Sequence, residues 1–393
     1  MTLRGGLPRA VAVLAAALLA ATGLASCSGA GPAGQTGPAG RDPAVTVPPA
    51  VARLTTGPFR VEGPRLVDGH DETFIPYGIT VFGLSHPSWR QGMPSDHAQI
   101  EAAAGPWHSN TMRIQVAPAI LLSRQPYDAR QPYDAGHLSG ARHPYDRAYM
   151  AAVEQEIHWV NEAGMVAILS AQDEWTTKAP MPTSLTLAFW RLMARRLRGN
   201  HRVMLDLFNE PRLSTGHPLE VWRIWQQGGD GFVGMQQLVA AVRGTGNADV
   251  VLAEGVDKAR ELHRLPEHLL RGGNVAYAVH PYFVEGLQSK SRWQAAFGAV
   301  SSDVPVVADE WGEWAAGKAE CTPKAPDLVP SFLAYLRAHG IGLVAWALVP
   351  GVLVVGHDLD RPTRLSSGYS CSSTTPEGAG AAVQAYFSRF SAT

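Results

Sequence analysis

The chain has 393 residues, of which 46% are hydrophobic and 17% are charged. This composition is typical of a globular protein with a large core, built either as two modest domains or as one α/β barrel. The formal net charge of −1 gives no electrostatic argument for a nucleic-acid partner, which a strongly basic surface would provide.

Residues 1–26 have the pattern of a secretory signal peptide. Arg4 and Arg9 flank the start of an apolar run, residues 10–19, which is too short and too rich in alanine for a membrane span. The motif Leu24-Ala25-Ser26-Cys27 resembles the lipobox of bacterial lipoproteins, in which the cysteine is lipidated and becomes the first mature residue. A plain signal peptide with an incidental cysteine is the alternative. We expect an extracellular lipoprotein anchored to the cell membrane through a lipid on Cys27.

Residues 27–50 are rich in Gly, Ala and Pro and lack apolar periodicity, which predicts a flexible tether. Residues 51–393 are expected to form the folded domain. Cys321 and Cys371 lie within it, and in an oxidising compartment we expect these two cysteines to form a disulfide. Neither has metal ligands near it in sequence, so no metal site is expected.

Strand-like and helix-like segments alternate after a short hairpin predicted at Phe59–Val61 and Arg65–Val67. The predicted strands are Ile75–Val81, Thr111–Val116, Met165–Ser170, Val203–Phe208, Val250–Ala253, Val275–Val279, Val304–Ala308 and Gly342–Trp346. The predicted helices are His97–Ala104, Arg147–Ala163, Leu185–Leu197, Phe232–Val242, Leu262–Leu270, Trp293–Ala299, Val329–His339 and Glu377–Phe390. This order predicts a (β/α)8 TIM barrel. A doubly wound open sheet is the alternative, but no Gly-x-Gly-x-x-Gly follows an early strand.

One connection, residues 117–145, is longer than a βα loop usually is. In a barrel it would lie on the face formed by the carboxyl ends of the strands, where it would shape access to a site. A surface elaboration without a function is the alternative.

Two of the predicted strands end in acidic residues. The fourth is followed by Asn209-Glu210-Pro211, and the seventh by Asp309-Glu310-Trp311-Gly312. A carboxyl group at the end of a buried strand is costly unless it has a task, although Glu210 taken alone has an equal chance of capping the next helix. In a closed barrel these strand ends face the same mouth. Two carboxyl groups about 5–5.5 Å apart there would suit a retaining glycosidase.

These motifs resemble those of glycoside hydrolase family 5, the cellulase family. Three further segments resemble that family's motifs on the second, sixth and eighth strands: Asn110-Thr111-Met112-Arg113, Val279-His280-Pro281-Tyr282 and Val344-Ala345-Trp346-Ala347. The resemblance extends from about Arg65 to the end of the last helix. It implies a barrel glycosidase that uses two glutamates and no cofactor.

The resemblance assigns the catalytic roles. It implies that Glu310 is the nucleophile and that Glu210 is the acid, then the base, with a raised pKa. Asp309 and Glu313 are rival nucleophiles by proximity, but Glu310 directly precedes the Trp-Gly of the motif. Asn209 would bind the 2-hydroxyl of the reacting sugar.

The resemblance also implies which side chains surround these two acids. Arg113 and Tyr282 would keep Glu310 charged and oriented, and His280 would contact both the nucleophile and the sugar. Trp346 would form the sugar platform. Gln172 stands where the family usually has a histidine; it can hydrogen-bond a hydroxyl but cannot carry a charge.

Tryptophan side chains fit a carbohydrate ligand, because flat apolar sugar faces stack on aromatic rings. Six of them, Trp311 among the candidate substrate contacts, are expected in or near the active face: Trp89, Trp107, Trp175, Trp311, Trp314 and Trp346.

The leading hypothesis is a retaining β-glycosidase that cleaves a β-linked polysaccharide, in the manner of an endoglucanase, and that functions as a monomer. An endo-β-mannanase or an exopolysaccharide hydrolase is the alternative within the same chemistry. A surface lipoprotein that has lost catalysis and binds carbohydrate is the alternative from another class, against which the presence of both glutamates argues.

The lipid anchor has a direct test. Replacing Cys27 by Ser removes the thiol that would carry the lipid, so we expect the protein to leave the membrane fraction. Fractionation of cells followed by immunoblotting measures this. Retention of Cys27→Ser in the membrane fraction would rule out this anchor.

Overall fold

Eight parallel strands close into a barrel in the part of the chain that the computed structural model describes, residues 56–123, 145–213, 217–313, 322–355 and 378–391. The strands are β1 (Tyr77–Val81), β2 (Thr111–Val116), β3 (Val166–Ala171), β4 (Val203–Asp206), β5 (Val251–Glu254), β6 (Val275–Ala278), β7 (Val306–Trp311) and β8 (Gly342–Ala345). Each pairs with the next along the chain, and β8 pairs with β1 from Leu343 against Tyr77. The predicted (β/α)8 barrel is confirmed.

Helices follow most of the strands and cover the outside of the barrel. The longer ones are α1 (Trp89–Ala104), α2 (Arg147–Glu162), α3 (Ser184–Leu197), α4 (Pro218–Gln227), α5 (Met235–Arg243), α6 (Ala325–Ala338) and α7 (Gly380–Ser391). Shorter helical segments are Gly83–Ser85, Pro118–Leu121, Val256–Ala259, Leu265–Glu267, Phe283–Glu285, Lys290–Trp293, Gln294–Gly298 and Ala299–Ser302. Two short antiparallel pairs join Arg60–Glu62 to Arg65–Val67 and Gly228–Gly229 to Phe232–Val233.

The helix predictions were wrong in two places. Helix α4 was not predicted, although His217 and Pro218 at its start are typical of a helix N-terminus. The predicted helix Leu262–Leu270 is only a 3-10 turn, Leu265–Glu267. Pro266 lies in the middle of that segment, and a proline there removes a backbone donor that a longer helix would need.

Local signals set the starts of the helices that were predicted. The Asp146 carboxylate accepts hydrogen bonds from the backbone N–H groups of Ala148 and Tyr149, as expected for the N-cap of α2. In α3 the capping residue is Thr183, whose hydroxyl accepts from the backbone N–H of Leu185. Both helices therefore begin where a side-chain oxygen satisfies free backbone donors.

The apolar core has two parts because strand residues alternate between the inside and the outside of the barrel. The outer part lies between the strands and the helices. The inner part forms a floor at the amino-terminal end of the strands, where Ile168, Met204 and Leu252 meet Phe59, Leu66 and Phe74 from the hairpin and the segment after it. The predicted hairpin thus closes the bottom of the barrel.

A polar layer lies directly above this floor. Ser170, Asp206 and Glu254 each come two residues after a floor residue of the same strand, so the period of two places them on the same inner face. Burying a carboxyl group is costly without a partner. The layer therefore indicates a functional site at the carboxyl ends of the strands.

Several predictions concern residues outside the described ranges. These are the signal peptide, the tether, the lipidated Cys27, the Cys321–Cys371 disulfide, Trp314 and most of the connection at residues 117–145. Among the described helices, none combines the length and the apolar character needed to cross a membrane.

A buried pair of carboxyl groups joins α1 to α2 away from the barrel mouth. Asp96 on α1 and Glu156 on α2 interact directly, and Asp96 also accepts from the backbone of Gly83. Burial raises the pKa of Asp96 to about 6. Burial, with Asp96 beside it, raises the pKa of Glu156 well above its usual range. The folded state therefore favours the protonated forms.

This pair makes stability depend on pH. Because the carboxyl pKa values are raised in the folded state, their contribution to stability is fully present at pH values below the unfolded pKa, near 4. This contribution is lost as the pH rises through about 6. We expect Glu156→Gln to raise the unfolding free energy by about 1–3 kcal/mol near pH 8 and to change it little near pH 4. Denaturant titrations at both pH values measure this.

The control is Glu154→Gln on the same helix, where Glu154 forms an exposed ion pair with Arg196. We expect that variant to change stability by less than about 1 kcal/mol at either pH. Equal effects of Glu156→Gln near pH 4 and pH 8 would contradict the assignment.

Candidate active site

The ends of β4 and β7 bring two glutamates together at the barrel mouth. Glu210 lies four residues after the end of β4, and Glu310 lies within β7. One oxygen of each carboxyl group and a ring nitrogen of His280 all lie within 4.8 Å of one another. His280 Nδ1 is 3.3 Å from Glu210 Oε1 and 3.7 Å from Glu310 Oε1. The two strand-end acids of the sequence therefore form one cluster.

A β-bulge in β7 turns Glu310 into the mouth. Ala308 pairs with Leu343 of β8, but the next pair joins Trp311 to Ala345, so Asp309 and Glu310 together face one residue of β8. An extra residue in a strand changes the direction of the side chains that follow it. Consequently both acids face inward, and Asp309 lies deeper, with no exposed surface.

The same bulge corrects the expectation that Trp311 binds substrate. Its side chain points outward from the barrel, is fully buried, and packs against Phe332 with ring centroids 4.9 Å apart. Gly312 follows because the chain passes close to β8: a Cβ atom there would lie 2.4 Å from the backbone oxygen of Trp346. The Trp-Gly pair of the motif is thus a packing requirement behind Glu310.

Arg113 on β2 is the cation at the centre of the polar layer. Its guanidinium is fully buried and donates to Asp206 Oδ2, Glu254 Oε1 and Glu310 Oε2, each at 2.8 Å at the shortest. Asp309 Oδ2 lies 3.7 Å from Nε. Burial lowers the pKa of Arg113, but these four carboxyl groups outweigh it and raise the pKa well above its usual value. The guanidinium is therefore charged.

Further donors converge on Glu310. The Tyr282 hydroxyl donates to Oε1 at 3.0 Å, and the Gln115 amide donates to Oε2 at 3.1 Å, beside Arg113. Donors of this kind favour a carboxylate and fix its orientation. Arg113 and Tyr282 thus take the positions around Glu310 that the sequence predicted.

Asn209 is oriented by the same network. Its side-chain oxygen accepts from Arg113 Nη2 at 2.8 Å and from the Gln115 amide at 3.2 Å. Both donors come from β2, where alternation places Arg113 and Gln115 on the same inner face. With its oxygen engaged in this way, Asn209 has its amide N–H groups for other partners.

His280 links the two glutamates to the deeper carboxyl groups. Its Nε2 is 3.3 Å from Glu254 Oε1 and 3.4 Å from Asp309 Oδ1, while Nδ1 faces Glu210 and Glu310. Burial lowers the pKa of His280, but the surrounding carboxyl groups raise it well above its usual value. These carboxyl groups therefore favour the protonated imidazole, whose Nδ1 is within hydrogen-bonding distance of Glu210.

The pKa shifts of the two glutamates run opposite to the expectation. Burial acts to raise the pKa of Glu210, but the hydrogen bond and charge of His280, with Lys258 and Arg212, lower it. Burial raises the pKa of Glu310 in spite of His280 and Arg113. The predicted raised pKa of Glu210 is thus wrong for this structure, because the sequence did not place a protonated histidine beside it.

Trp346 and Gln172 contact other parts of the protein, and their roles in sugar binding stay predictions. Trp346 follows β8, is partly exposed, and stacks on Phe82 with centroids 4.9 Å apart. Gln172 is buried, and its side-chain oxygen accepts from the backbone N–H of Glu174 at 2.8 Å, so it stabilises its own turn.

Burial and contacts also describe the surroundings of the other tryptophans and of Asp309 and Glu313. Trp89 and Trp107 are core residues, whereas Trp175 is partly exposed and contacts His86. Asp309 is enclosed by Arg113 and His280, as described above. Glu313 accepts from the backbone N–H of Thr322 at 3.0 Å and so takes part in a loop contact.

Sequence reasoning missed four polar residues of the layer: Gln115, Ser170, Asp206 and Glu254. Ser170 accepts from Arg113 Nη2 at 3.0 Å, and the contacts of the other three are given above. Each continues the inward alternation of its strand by one step beyond an inward residue. That signal was available for Asp206, whereas Glu254 lay just beyond the predicted strand end at Ala253.

Two residue groups have the composition of a metal site, Glu210–His280–Glu310 and Glu254–His280–Asp309. Both depend on His280, and the surrounding carboxyl groups raise the pKa of its imidazole, which favours the protonated form that has no lone pair for a metal. Arg113 also lies among the acids and already supplies positive charge. The chemistry of these groups fits a proton-transfer cluster better than a metal centre.

Comparisons with known proteins agree with this geometry. The sequence model described as cellulase, glycosyl hydrolase family 5, matches residues 67–351. Comparison with curated protein sequences finds no match.

Solved structures share the fold at low identity. A β-glucanase from Saccharophagus degradans in complex with cellotetraose is 17% identical, with a TM-score of 0.61 over 87% of this chain and 95% of that one. The catalytic domain of an endoglucanase from Thermobifida fusca is 13% identical, with a TM-score of 0.59 over 86% and 99%. An endocellulase from the archaeon Pyrococcus horikoshii is 14% identical, with a TM-score of 0.61 over 85% and 98%.

Proposed function

Since the chain belongs to the cellulase family, glycosyl hydrolase family 5, and is therefore a glycoside hydrolase, we propose that it cleaves a β-linked polysaccharide with retention of configuration, as an endoglucanase does. The observation that carries the retaining mechanism is the placement of oxygens of Glu210 and Glu310 within 4.8 Å of each other. Retaining enzymes hold their carboxyl groups about 5–5.5 Å apart, whereas inverting enzymes leave about 6.5–9.5 Å for a water molecule. The gap here suits direct attack.

In the first step Glu310 attacks the anomeric carbon and forms a covalent glycosyl-enzyme, while the bond to the leaving oxygen breaks. Arg113, Tyr282 and Gln115 orient the attacking carboxylate. Glu210 donates its proton to the leaving oxygen. In the second step Glu210 takes a proton from water, which attacks the same carbon and releases Glu310.

The proton on Glu210 has a source within the cluster. The protonated His280 lies 3.3 Å from Glu210 Oε1. A sugar over Glu210, whose side chain is 15% exposed, excludes water and so raises the pKa of its carboxyl group. The acid form of Glu210 then arises when substrate binds. The lowered pKa of Glu210 in this structure is therefore compatible with its role as an acid. Asn209, with its oxygen held by Arg113 and Gln115, donates its amide to the 2-hydroxyl.

A β-glucan is the substrate that the relatives support best, because the similar solved structures are β-glucanases and endoglucanases. An endo-β-mannanase or an exopolysaccharide hydrolase would use the same two glutamates. A carbohydrate-binding protein that has lost catalysis is not favoured, since Glu210, Glu310 and the donors around them form a continuous hydrogen-bonded network.

We place the enzyme outside the cell, anchored through a lipid on Cys27, on the strength of its N-terminal motif. A polysaccharide substrate is consistent with this, because polymers of that size are degraded outside the membrane. The Cys27→Ser fractionation described above tests the location independently of activity.

The substrate and the stereochemistry are measured together. We expect wild-type protein to release oligosaccharides from a β-glucan within a panel of β-glucans, mannans and the organism's own exopolysaccharide, with the β-anomer formed first by NMR. Glu310→Ala should lower kcat on the order of 10⁴-fold or more while the fold is kept, as loss of a nucleophile does. The α-anomer as first product, or near wild-type activity of Glu310→Ala, would overturn the mechanism.

The role of Glu210 has its own test. Glu210→Ala should lose about 100-fold or more in kcat on polysaccharide but retain activity on aryl glycosides with good leaving groups, which need little acid assistance. Azide should accelerate that variant and yield a β-glycosyl azide, because a small nucleophile then replaces the water that the base activates. Absence of any azide effect on such substrates would remove Glu210 from the acid/base role.

A further inference from the structure

Glu254, the last residue of β5, contacts the backbone of Glu210 and the two cationic side chains, Arg113 and His280, that lie beside Glu310. Its Oε2 accepts from the backbone N–H of Glu210 at 2.5 Å, and its Oε1 accepts from Arg113 Nη2 at 2.8 Å. His280 Nε2 lies 3.3 Å from the same Oε1. The side chain has no exposed surface. It therefore cannot touch a substrate and acts only through its neighbours.

The backbone of Glu210 needs such a partner. Its φ is +52°, in the left-handed region that residues other than glycine rarely adopt. Such conformations persist where the surroundings fix them, and they are frequent at active sites. The contact with Glu254 holds the N–H of Glu210, and the carbonyl of the next residue, Pro211, accepts from the backbone of Lys258 at 2.8 Å. The turn that carries the acid is thus held by the end of β5.

The same carboxyl group also holds the nucleophile's partners. Arg113 bonds Glu254 through Nη2 and Glu310 through Nη1, and His280 faces Glu254 with one nitrogen and both catalytic glutamates with the other. A shift of Glu254 therefore changes the acid and the nucleophile relative to each other. Asp206 differs, because it contacts Arg113 but has no described contact with Glu210 or His280.

We propose that Glu254 is a positioning residue that aligns the acid/base Glu210 with the nucleophile Glu310, by holding the left-handed backbone of Glu210 with one oxygen and Arg113 and His280 with the other. This inference rests on the proposed function. It predicts a defect that is larger where the leaving group needs acid assistance, a selectivity that general destabilisation would not produce.

Glu254→Gln is the discriminating variant. An amide keeps the size of the side chain but replaces one acceptor oxygen with an N–H donor, so either Glu210 or the Arg113–His280 pair loses its acceptor. Glu254→Asp is the second variant. It keeps the charge near Arg113 but shortens the side chain by one methylene group. It therefore tests the same role if Glu254→Gln does not fold. Asp206→Asn is the matched control, because Asp206 interacts with Arg113 and Ser170 but has no described contact with Glu210 or His280.

Hydrolysis of two aryl β-cellobiosides provides the first readout. With phenyl cellobioside, whose leaving group needs protonation, we expect Glu254→Gln to lose about 100-fold in kcat/KM, which reports formation of the glycosyl-enzyme; this is the size of a general-acid contribution. With 2,4-dinitrophenyl cellobioside, which needs little protonation in that step, the loss in kcat/KM should be less than about 10-fold. Glu254→Asp should also lose more activity on phenyl cellobioside than on 2,4-dinitrophenyl cellobioside, but with smaller losses than Glu254→Gln. Asp206→Asn should lower the activity on both substrates by similar factors.

Amide hydrogen exchange of the peptide that carries Glu210 provides the second readout and needs no activity. Exchange there should accelerate in Glu254→Gln and Glu254→Asp but not in Asp206→Asn. Equal losses on both cellobiosides, or unchanged exchange at Glu210, would overturn the positioning role. If wild-type protein hydrolyses neither cellobioside, the proposed function fails for β-glucosides, and the exchange measurement still decides whether Glu254 holds Glu210.

Discussion

The rest of the site depends on the buried charge of Arg113. Its guanidinium contacts carboxyl groups from β4, β5 and β7, and it is the shared donor that lets those acids lie side by side inside the barrel. Buried charges are tolerated only when they are paired and hydrogen-bonded, and removing one partner leaves the others uncompensated. These four carboxyl groups in turn fix the position of the Arg113 guanidinium. This mutual dependence makes the polar layer rigid, which is what a pair of catalytic carboxyl groups at a fixed separation needs.

The barrel places this layer by simple alternation. Apolar residues fill the lower half of the interior, and one step along the same strands the inward residues become polar. Two local departures from regular geometry then complete the site. The bulge in β7 brings Glu310 into a face that alternation alone would deny it, and a left-handed backbone conformation at Glu210 ends the extended run after β4. Both proposed catalytic glutamates thus lie where the chain leaves regular strand geometry.

Much of this was predictable from the sequence. The barrel, its strands and the meeting of Glu210 with Glu310 follow from apolar runs that end in acids, since strand ends share one face. What failed depended on tertiary context. The outward direction of Trp311 results from a bulge that cannot be predicted from the residue types in β7. The lowered pKa of Glu210 results from His280, which follows a strand two positions away in the barrel. Glu254 was missed because a charged residue after an apolar run indicates the end of a strand, so the predicted strand stopped at Ala253.

The hairpin under the barrel has a consequence for how the chain folds. Phe59 and Leu66 leave the ribosome early, yet the floor they cover also includes Val344 of β8, almost 280 positions after Leu66. Contacts so distant in sequence form late, because the entropy of closing a long loop must be overcome first. The hairpin therefore has no complete docking surface until the last strand is in place, and its apolar side chains stay exposed for most of synthesis.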